Sequence, residues 1–417
     1  MKHVIIGNGP AGVVAAEALR RADSAAEVVL VGDEPEPPYS RMAIPYLLTG
    51  NIGEEGTYLR KDAGHYERLG IRLVQARAEN VDAKARSVRL STGDALSYDR
   101  LLIATGSHPL RPNVPGIDLP NVHPCWTLAD ARQIAAKAKP GARLVQLGAG
   151  FIGCIILQAL AERGVKLTVV EMGDRMVPRM MTATAGKLIR QWVEKKGVKV
   201  HVNTSVAAIT ADGKAMQVKL SNGQTLACDL LISAAGVRPN IAFLEGSGIR
   251  IGEGILVDAH MQTSIPGIYA AGDVTEASGF HTGRPQLNAI QPAAADQARI
   301  AAINMLGGQT ASQGSLAINV LDTLGLVSTS FGQWEGAGQA DGGAGVELVD
   351  EAHCRYLSLQ FKNDVLIGAT SIGWTDHVGA LRGLIQGRVR LGEWKGRLLA
   401  DPTQFMAAYL GAAQQAA

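Results

Sequence analysis

Two short glycine patterns, Gly7-Asn-Gly-Pro-Ala-Gly12 and Gly148-Ala-Gly-Phe-Ile-Gly153, carry the clearest chemistry in this chain. In such a pattern the first glycine (Gly7, Gly148) makes a tight turn and the second (Gly9, Gly150) lets the backbone approach a pyrophosphate. The third (Gly12, Gly153) lets the following helix pack on its strand. Pro10 and Ala11 open one helix, Phe151 and Ile152 the other, and a helix N-terminus offers a phosphate unpaired N–H groups and a positive dipole end. About twenty residues further on stand Asp33, followed by Glu34, and Glu171, where a carboxylate accepts hydrogen bonds from ribose hydroxyls. A single pattern is as well read as a glycine-rich turn. Two, each with its acid, point to two adenine dinucleotides. Glu171 would repel a 2′-phosphate and so favours NADH over NADPH, with Arg175 nearby as the opposing sign.

The elements that must position these residues repeat. From His3, "HVIIGNGPAGVVAAEALRRADSAAEVVLVGDE" reads as strand, glycine turn, alanine-rich helix and acid-terminated strand, a βαβ unit, and the segment from Arg143 runs in the same order. Ser91 to Gly106 aligns without a gap on Ser221 to Gly236, each an acid, an apolar strand and a glycine, with Ala104 and Thr105 ahead of Gly106. The run from Gly254 then leads through hairpin-like strands to Gly272-Asp273, whose carboxylate is suited to a polyhydroxy chain such as the ribityl of FAD. That assigns FAD to the first site and the nicotinamide dinucleotide to the second. The expected fold class is α/β: two Rossmann-like dinucleotide-binding domains plus a small α+β C-terminal domain. The expected boundaries are 1–108 and 237–314 for a discontinuous FAD-binding domain, 109–236 for an NAD-binding domain and 315–417 for the third, with two strands around an Asn363-Asp364 turn.

Composition excludes much else. The chain has 417 residues and a formal net charge of +2, leaving no electrostatic footprint for nucleic acid and no polybasic membrane tail. Cys125, Cys154, Cys228 and Cys354 lie far apart, without metal-ligand spacing, and read as reduced, mostly buried thiols. No apolar run reaches membrane-spanning length, and the first residues run straight into a strand with no room for a signal peptide, so a cytoplasmic location is expected. No metal site and no catalytic acid, base or nucleophile is assigned.

Together the two glycine units, the "ATG" at Ala104–Gly106 and the "GIYAAGDV" at Gly267–Val274 resemble the two-dinucleotide flavoprotein reductases of the glutathione reductase superfamily, from end to end. "PYSRMAIPYLLTG", "IQPAAADQARIAAINMLGG" and the last domain are most similar to NADH-dependent rubredoxin reductases and the flavin portion of assimilatory nitrite reductases. Ferredoxin reductases stand slightly further away. The resemblance implies FAD in the first site and NADH in the second, hydride transfer from NADH to the flavin, and transfer of electrons to a separate acceptor. It also implies that Arg41, in a "Y-x-R" spacing, and the Gln291-Pro292 region lie on FAD, and that Gly236 belongs to the NAD site.

NADH oxidases and coenzyme A disulfide reductases, also similar here, carry a cysteine where this chain has Met42, which forms neither thiolate nor disulfide; as residue type it reads as a gap-filler near the flavin. Other departures are Tyr46 and Ile155, where ferredoxin-reductase relatives carry a lysine and a glutamate, and Gln291, where related reductases carry a tryptophan ahead of proline. The stretch Arg382–Arg397 holds five basic residues against Glu393 and reads either as a solvated face or as a dock for a small acidic redox protein. The expected function is electron transfer from NADH through FAD to a rubredoxin- or ferredoxin-type acceptor. The alternatives are direct reduction of a quinone, oxygen or a persulfide, and a slow redox-responsive binding module. A homodimer or a larger redox complex is compatible with either.

Overall fold

A computed structural model describes residues 1–416, which divide into two compact units. The first comprises 1–47, 52–108 and 237–315, the second 48–51, 109–236 and the described residues from 316 on.

The first unit is built on a five-stranded parallel sheet. Its spatial order is Ile268–Ala270, Arg100–Ile103, Lys2–Ile6, Glu27–Gly32 and Ile71–Gln75. The central strands are continuous apolar runs because both faces are covered. On one face the helices Pro10–Ala22 and Gln291–Met305 pack together through alanines 15, 16, 298, 301 and 302. On the other lies the antiparallel Ala78–Asp82, Ser87–Leu90, Ala95–Ser97 sheet, with Val81, Val88 and Leu96 against Val4, Val29 and Leu101.

The second unit repeats the plan. Its parallel sheet runs Lys199–His201, Lys166–Val170, Arg143–Leu147, Leu230–Ser233, Val122–Pro124, with the helix Phe151–Glu162 after the third of these. A three-stranded antiparallel sheet, Val206–Asp212, Ala215–Leu220 and Thr225–Cys228, covers one face. The sequence repeat is a structural one down to single bonds. Asp99 accepts the Lys2 N–H at 2.6 Å, and Asp229, its counterpart, accepts the Arg143 N–H at 2.8 Å. Each acid at the foot of one strand thus satisfies the first donor of the central strand beside it.

Residues 316–416 of this unit form an antiparallel sheet in the order Ile318–Thr323, Leu326–Gly332, Val365–Ile372, Arg355–Lys362, Gly343–Asp350, followed by helices. Asn363 adopts φ +53° in the tight turn between Arg355–Lys362 and Val365–Ile372. The fully buried Tyr356 shares its hydroxyl with Thr182 and Glu347, each at 2.8 Å. Among the described residues no helix is long and apolar enough to cross a membrane.

Candidate functional site

Parallel strands all end on the same side of their sheet, so the loops leaving them converge in the crevice beyond their carboxyl ends. In the first unit these loops carry Gly7–Gly12, Asp33, Ala104–Gly106 and Gly272–Asp273, brought side by side by the neighbouring strands Lys2–Ile6, Arg100–Ile103 and Ile268–Ala270. Gly7 sits at φ +107°, and a side chain there would run into the Ala104 carbonyl; one on Gly12 would strike the carbonyl of Gly7. Gly9 caps the helix in extended backbone with Pro10 as its first residue, and a methyl group built on Gly9 meets nothing within 4 Å. Two of the three glycines are therefore demanded by packing, and the middle one leaves open space at a helix N-terminus.

Around this opening the sheet supplies polar groups. Asp273 accepts the Ser107 hydroxyl at 3.0 Å, and burial pushes its carboxyl above the usual range while Ser107 and Arg41 pull it back. The Ala11 and Ala294 side chains back Gly272, whose N–H is held by Gln297 at 2.8 Å. Asn240 grips the Ala104–Gly106 turn. Its amide donates to the Thr105 carbonyl at 2.8 Å, its N–H to the Gly106 carbonyl at 2.9 Å, and its carbonyl accepts the Thr105 hydroxyl at 2.9 Å. Arg41 donates to Glu34 at 2.6 Å and to the Tyr39 hydroxyl at 3.1 Å; that hydroxyl in turn donates to Glu34 at 2.6 Å. Glu34 thus orients Arg41. Asp33 is half exposed beside Arg77, 3.7 Å away. Gln291 and Pro292, both exposed, begin their helix, and Ser40 donates to Gln291 at 2.8 Å.

The second unit presents the same opening. Gly148 stands at φ +100° against the Ala234 carbonyl, Gly153 packs on the Gly148 carbonyl, and Gly150 caps the helix with nothing within 4 Å of a built methyl. Phe151 and Ile152, half buried, form the helix's first turn. Glu171 accepts two backbone N–H groups, Ala149 at 2.6 Å and Gly173 at 2.7 Å, and so binds the glycine loop to its own strand end. Gly236, at φ +108°, follows the neighbouring strand and accepts the Leu110 N–H at 2.8 Å. Arg175 is committed elsewhere: to Asp174 at 2.8 and 3.0 Å and to the Met181 carbonyl at 3.1 Å. Tyr46, exposed, lies in the first unit and Ile155, half buried, in the second.

Residues 1–298 match the family model described as pyridine nucleotide-disulphide oxidoreductase. The chain belongs to that family. Over 404 residues it is 31% identical to the NADH-dependent phenylglyoxylate dehydrogenase subunit epsilon of Aromatoleum evansii, covering 96% of this chain and 95% of that one. It is 32% identical over 313 residues to the rhodocoxin reductase of Rhodococcus erythropolis, covering 74% and 73% of the two chains. Among solved structures, putidaredoxin reductase in its covalent complex with putidaredoxin superposes with a TM-score of 0.89 at 25% identity, covering 98% of each chain.

This family member is an NAD(P)H-dependent flavin oxidoreductase with FAD and NADH as cofactors. The residues present fit both groups. Each unit has an open glycine cradle at a helix start, and the first has in Asp273 a half-buried carboxylate that polyol hydroxyls complement. Sequence reading missed Ser107, Asn240 and Gln297, although Asn240 ends the "VRPN" that marks the chain's return to the first unit. Ordinary polar residues, one in a short strand, one in a loop and one in a helix, carry no local sign of the strand ends they secure.

The four cysteines are all buried and unpaired. Burial pushes the thiols of Cys125 and Cys154 up to about 12 and that of Cys228 to about 11, and raises Cys354 as well. Met42 is 48% exposed in the segment that precedes Tyr46.

Proposed function

We propose that this flavoprotein passes electrons from NADH to a small redox protein, with no thiol relay between. The observation that carries this reading is the state of the four cysteines: buried, protonated and unpaired, they offer neither a nucleophilic thiolate nor a disulfide. Bound FAD supplies the exchange between two-electron and one-electron carriers.

The chain's own residues bind and orient. Gly7, Gly9, Pro10, Ala11 and Gly12 cradle the FAD pyrophosphate, Asp33 takes the ribose, and Arg41, held by Glu34, faces the phosphates. Asp273 with Ser107 takes the ribityl hydroxyls, with Ala104, Thr105, Gly106, Gly272, Gln291 and Pro292 lining the rest. Gly148, Gly150, Phe151, Ile152 and Gly153 cradle NADH, with Glu171 on its ribose and Gly236 at its far wall. On this reading 1–108 and 237–314 are the FAD-binding domain, 109–236 the NAD-binding domain and 315–417 the C-terminal domain. Relatives named for reducing rhodocoxin and for complexing putidaredoxin support a protein acceptor. Exposed Arg382, Arg390 and Arg397, the last paired with Glu393 at 3.6 Å, are positive charges for an acidic carrier to meet.

Anaerobic reduction by NADH followed by a panel of acceptors tests this. Rapid, salt-sensitive reoxidation by a rubredoxin or ferredoxin supports it. Reoxidation only by oxygen, a quinone or a persulfide, or a single reduction followed by a stall, overturns it. A second reading, that the chain works as one subunit of a larger redox complex, is favoured by its end-to-end match to an epsilon subunit. Native mass measurement after purification of the untagged chain from its source separates the two.

A further inference from the structure

Val177 stands out among the residues of the second unit. It is β-branched and sits at φ +51°, a conformation such a side chain disfavours, yet it is 1% exposed and lies among Met176, Met180 and Met181, all buried. Its carbonyl accepts the N–H groups of Met180 and Met181, both at 3.1 Å, closing a turn that holds the strained conformation in place. The outcome of that conformation is one bond: the Val177 N–H donates to the Ala149 carbonyl at 2.8 Å.

Ala149 is the residue between the two leading glycines of the second cradle, and it is fully buried. Its peptide groups are held on both sides. Its N–H goes to Glu171 at 2.6 Å, and its carbonyl accepts from Val177 and, at 3.5 Å, from the Cys154 thiol. A trans peptide is planar, with its carbonyl and N–H on opposite sides. The Ala149 carbonyl shares its peptide with the Gly150 N–H, so turning the carbonyl toward Val177 turns the Gly150 N–H away from it. We propose that Val177 is a positioning residue for the nicotinamide dinucleotide: its strained backbone fixes the 149–150 peptide so that the Gly150 N–H is already aimed at the pyrophosphate before NADH arrives. Pre-orientation of this kind removes an ordering cost from binding. The inference rests on the assignment of NADH to the second cradle.

Backbone geometry, rather than the isopropyl group, is what this reading requires, and substitutions separate the two. Glycine adopts φ +51° without strain, so Val177→Gly keeps the N–H in place; proline locks φ near −65° and has no N–H, so Val177→Pro deletes the bond. NAD+ binding to the oxidised holoenzyme, measured by calorimetry, is expected to stay within about threefold of wild type for Val177→Gly and to weaken about tenfold or more for Val177→Pro, the scale of one lost hydrogen bond. KM for NADH should rise in Val177→Pro by a larger factor than kcat falls. Equal weakening by glycine and proline would make packing the cause and overturn the proposal, as would wild-type affinity in Val177→Pro.

If Val177→Pro loses its flavin or melts early, amide exchange of the wild-type protein decides. Protection of the Val177 amide without NAD+ supports the proposal, and free exchange overturns it. Wild-type protein that retains FAD and fails to bind NAD+ would overturn the assignment of the second cradle itself, a result distinct from wild-type binding with an indifferent Val177→Pro.

Discussion

Replacing Glu171 should weaken NADH binding in two graded steps. Its carboxylate accepts the Ala149 and Gly173 N–H groups at 2.6 and 2.7 Å and so ties down the glycine loop; on the function proposed above it also presents charge to the ribose. A hydrogen bond to a charged group contributes about 1.5–3 kcal/mol, and partial exposure of the carboxylate puts the lower end in force. Glu171→Ala removes the charged acceptor proposed for the ribose hydroxyls together with the anchor of the loop; with water partly replacing the lost ribose bonds, the net loss is about 2 kcal/mol, or roughly thirtyfold in affinity. Glu171→Gln keeps one accepting oxygen but turns an NH2 group toward the second donor, for a loss of about 1 kcal/mol, roughly fivefold. The apparent Kd for NADH from stopped-flow flavin reduction reads this directly, with flavin content confirming that the first cradle is intact. Both variants should also narrow the preference for NADH over NADPH, since each removes the charge that repels a 2′-phosphate. Wild-type affinity in Glu171→Ala, or a glutamine variant weaker than the alanine variant, would refute the reasoning.

Arg175 is withheld from a 2′-phosphate by Asp174 and the Met181 carbonyl. Adding Asp174→Ala to Glu171→Ala should therefore raise kcat/KM for NADPH above that of Glu171→Ala alone; no gain would mean that the Met181 bond suffices to hold the guanidinium. For Asp273, burial raises the carboxyl pKa in the fold, so the native state binds more protons than the unfolded chain between the ordinary Asp pKa and the raised one. Stability of the apoprotein should fall as pH rises through that window. Asp273→Asn should flatten the profile and raise the apoprotein Tm at neutral pH while releasing FAD more readily on dialysis, and a variant that keeps FAD as wild type does would count against the ribityl contact. For the cysteines, a thiol at about 11 is ionised to roughly one part in a thousand at pH 8. Iodoacetamide treatment of the native protein should leave electron transfer intact, and reductive titration should end at two electrons per FAD; four electrons would reveal a relay.

How much of this was legible beforehand differs from residue to residue. The duplication was legible because both copies keep the same local order, strand, glycine turn, helix and acid, and local order is set by apolar periodicity and by backbone conformations that only glycine tolerates. Gly7 and Gly148 illustrate it: a positive φ and a carbonyl close behind leave no other residue. The matched roles of Asp99 and Asp229 follow from the same repeat. Glu34 marks the edge of this legibility: its place beside Asp33 suggested ligand contact, and the fold adds what no spacing shows, that its two oxygens also take the Tyr39 hydroxyl and the Arg41 guanidinium.

The sequence by itself determined the class of the fold and the two glycine turns at their helix starts, because each of these is specified within some thirty residues of chain. Tertiary structure alone decided what secures them. Ser107 meets Asp273 across 166 residues, Asn240 grips Thr105 across 135, and Gln297 holds Gly272 across 25. Val177 reaches Ala149 only because the chain turns back after the Glu171 strand end. These partners are ordinary polar or apolar residues in turns, a helix and a short strand, with no period or spacing of their own. They become specific when parallel strands in register bring their carboxyl ends together and each buried donor or acceptor must be satisfied by whichever group the crossover delivers.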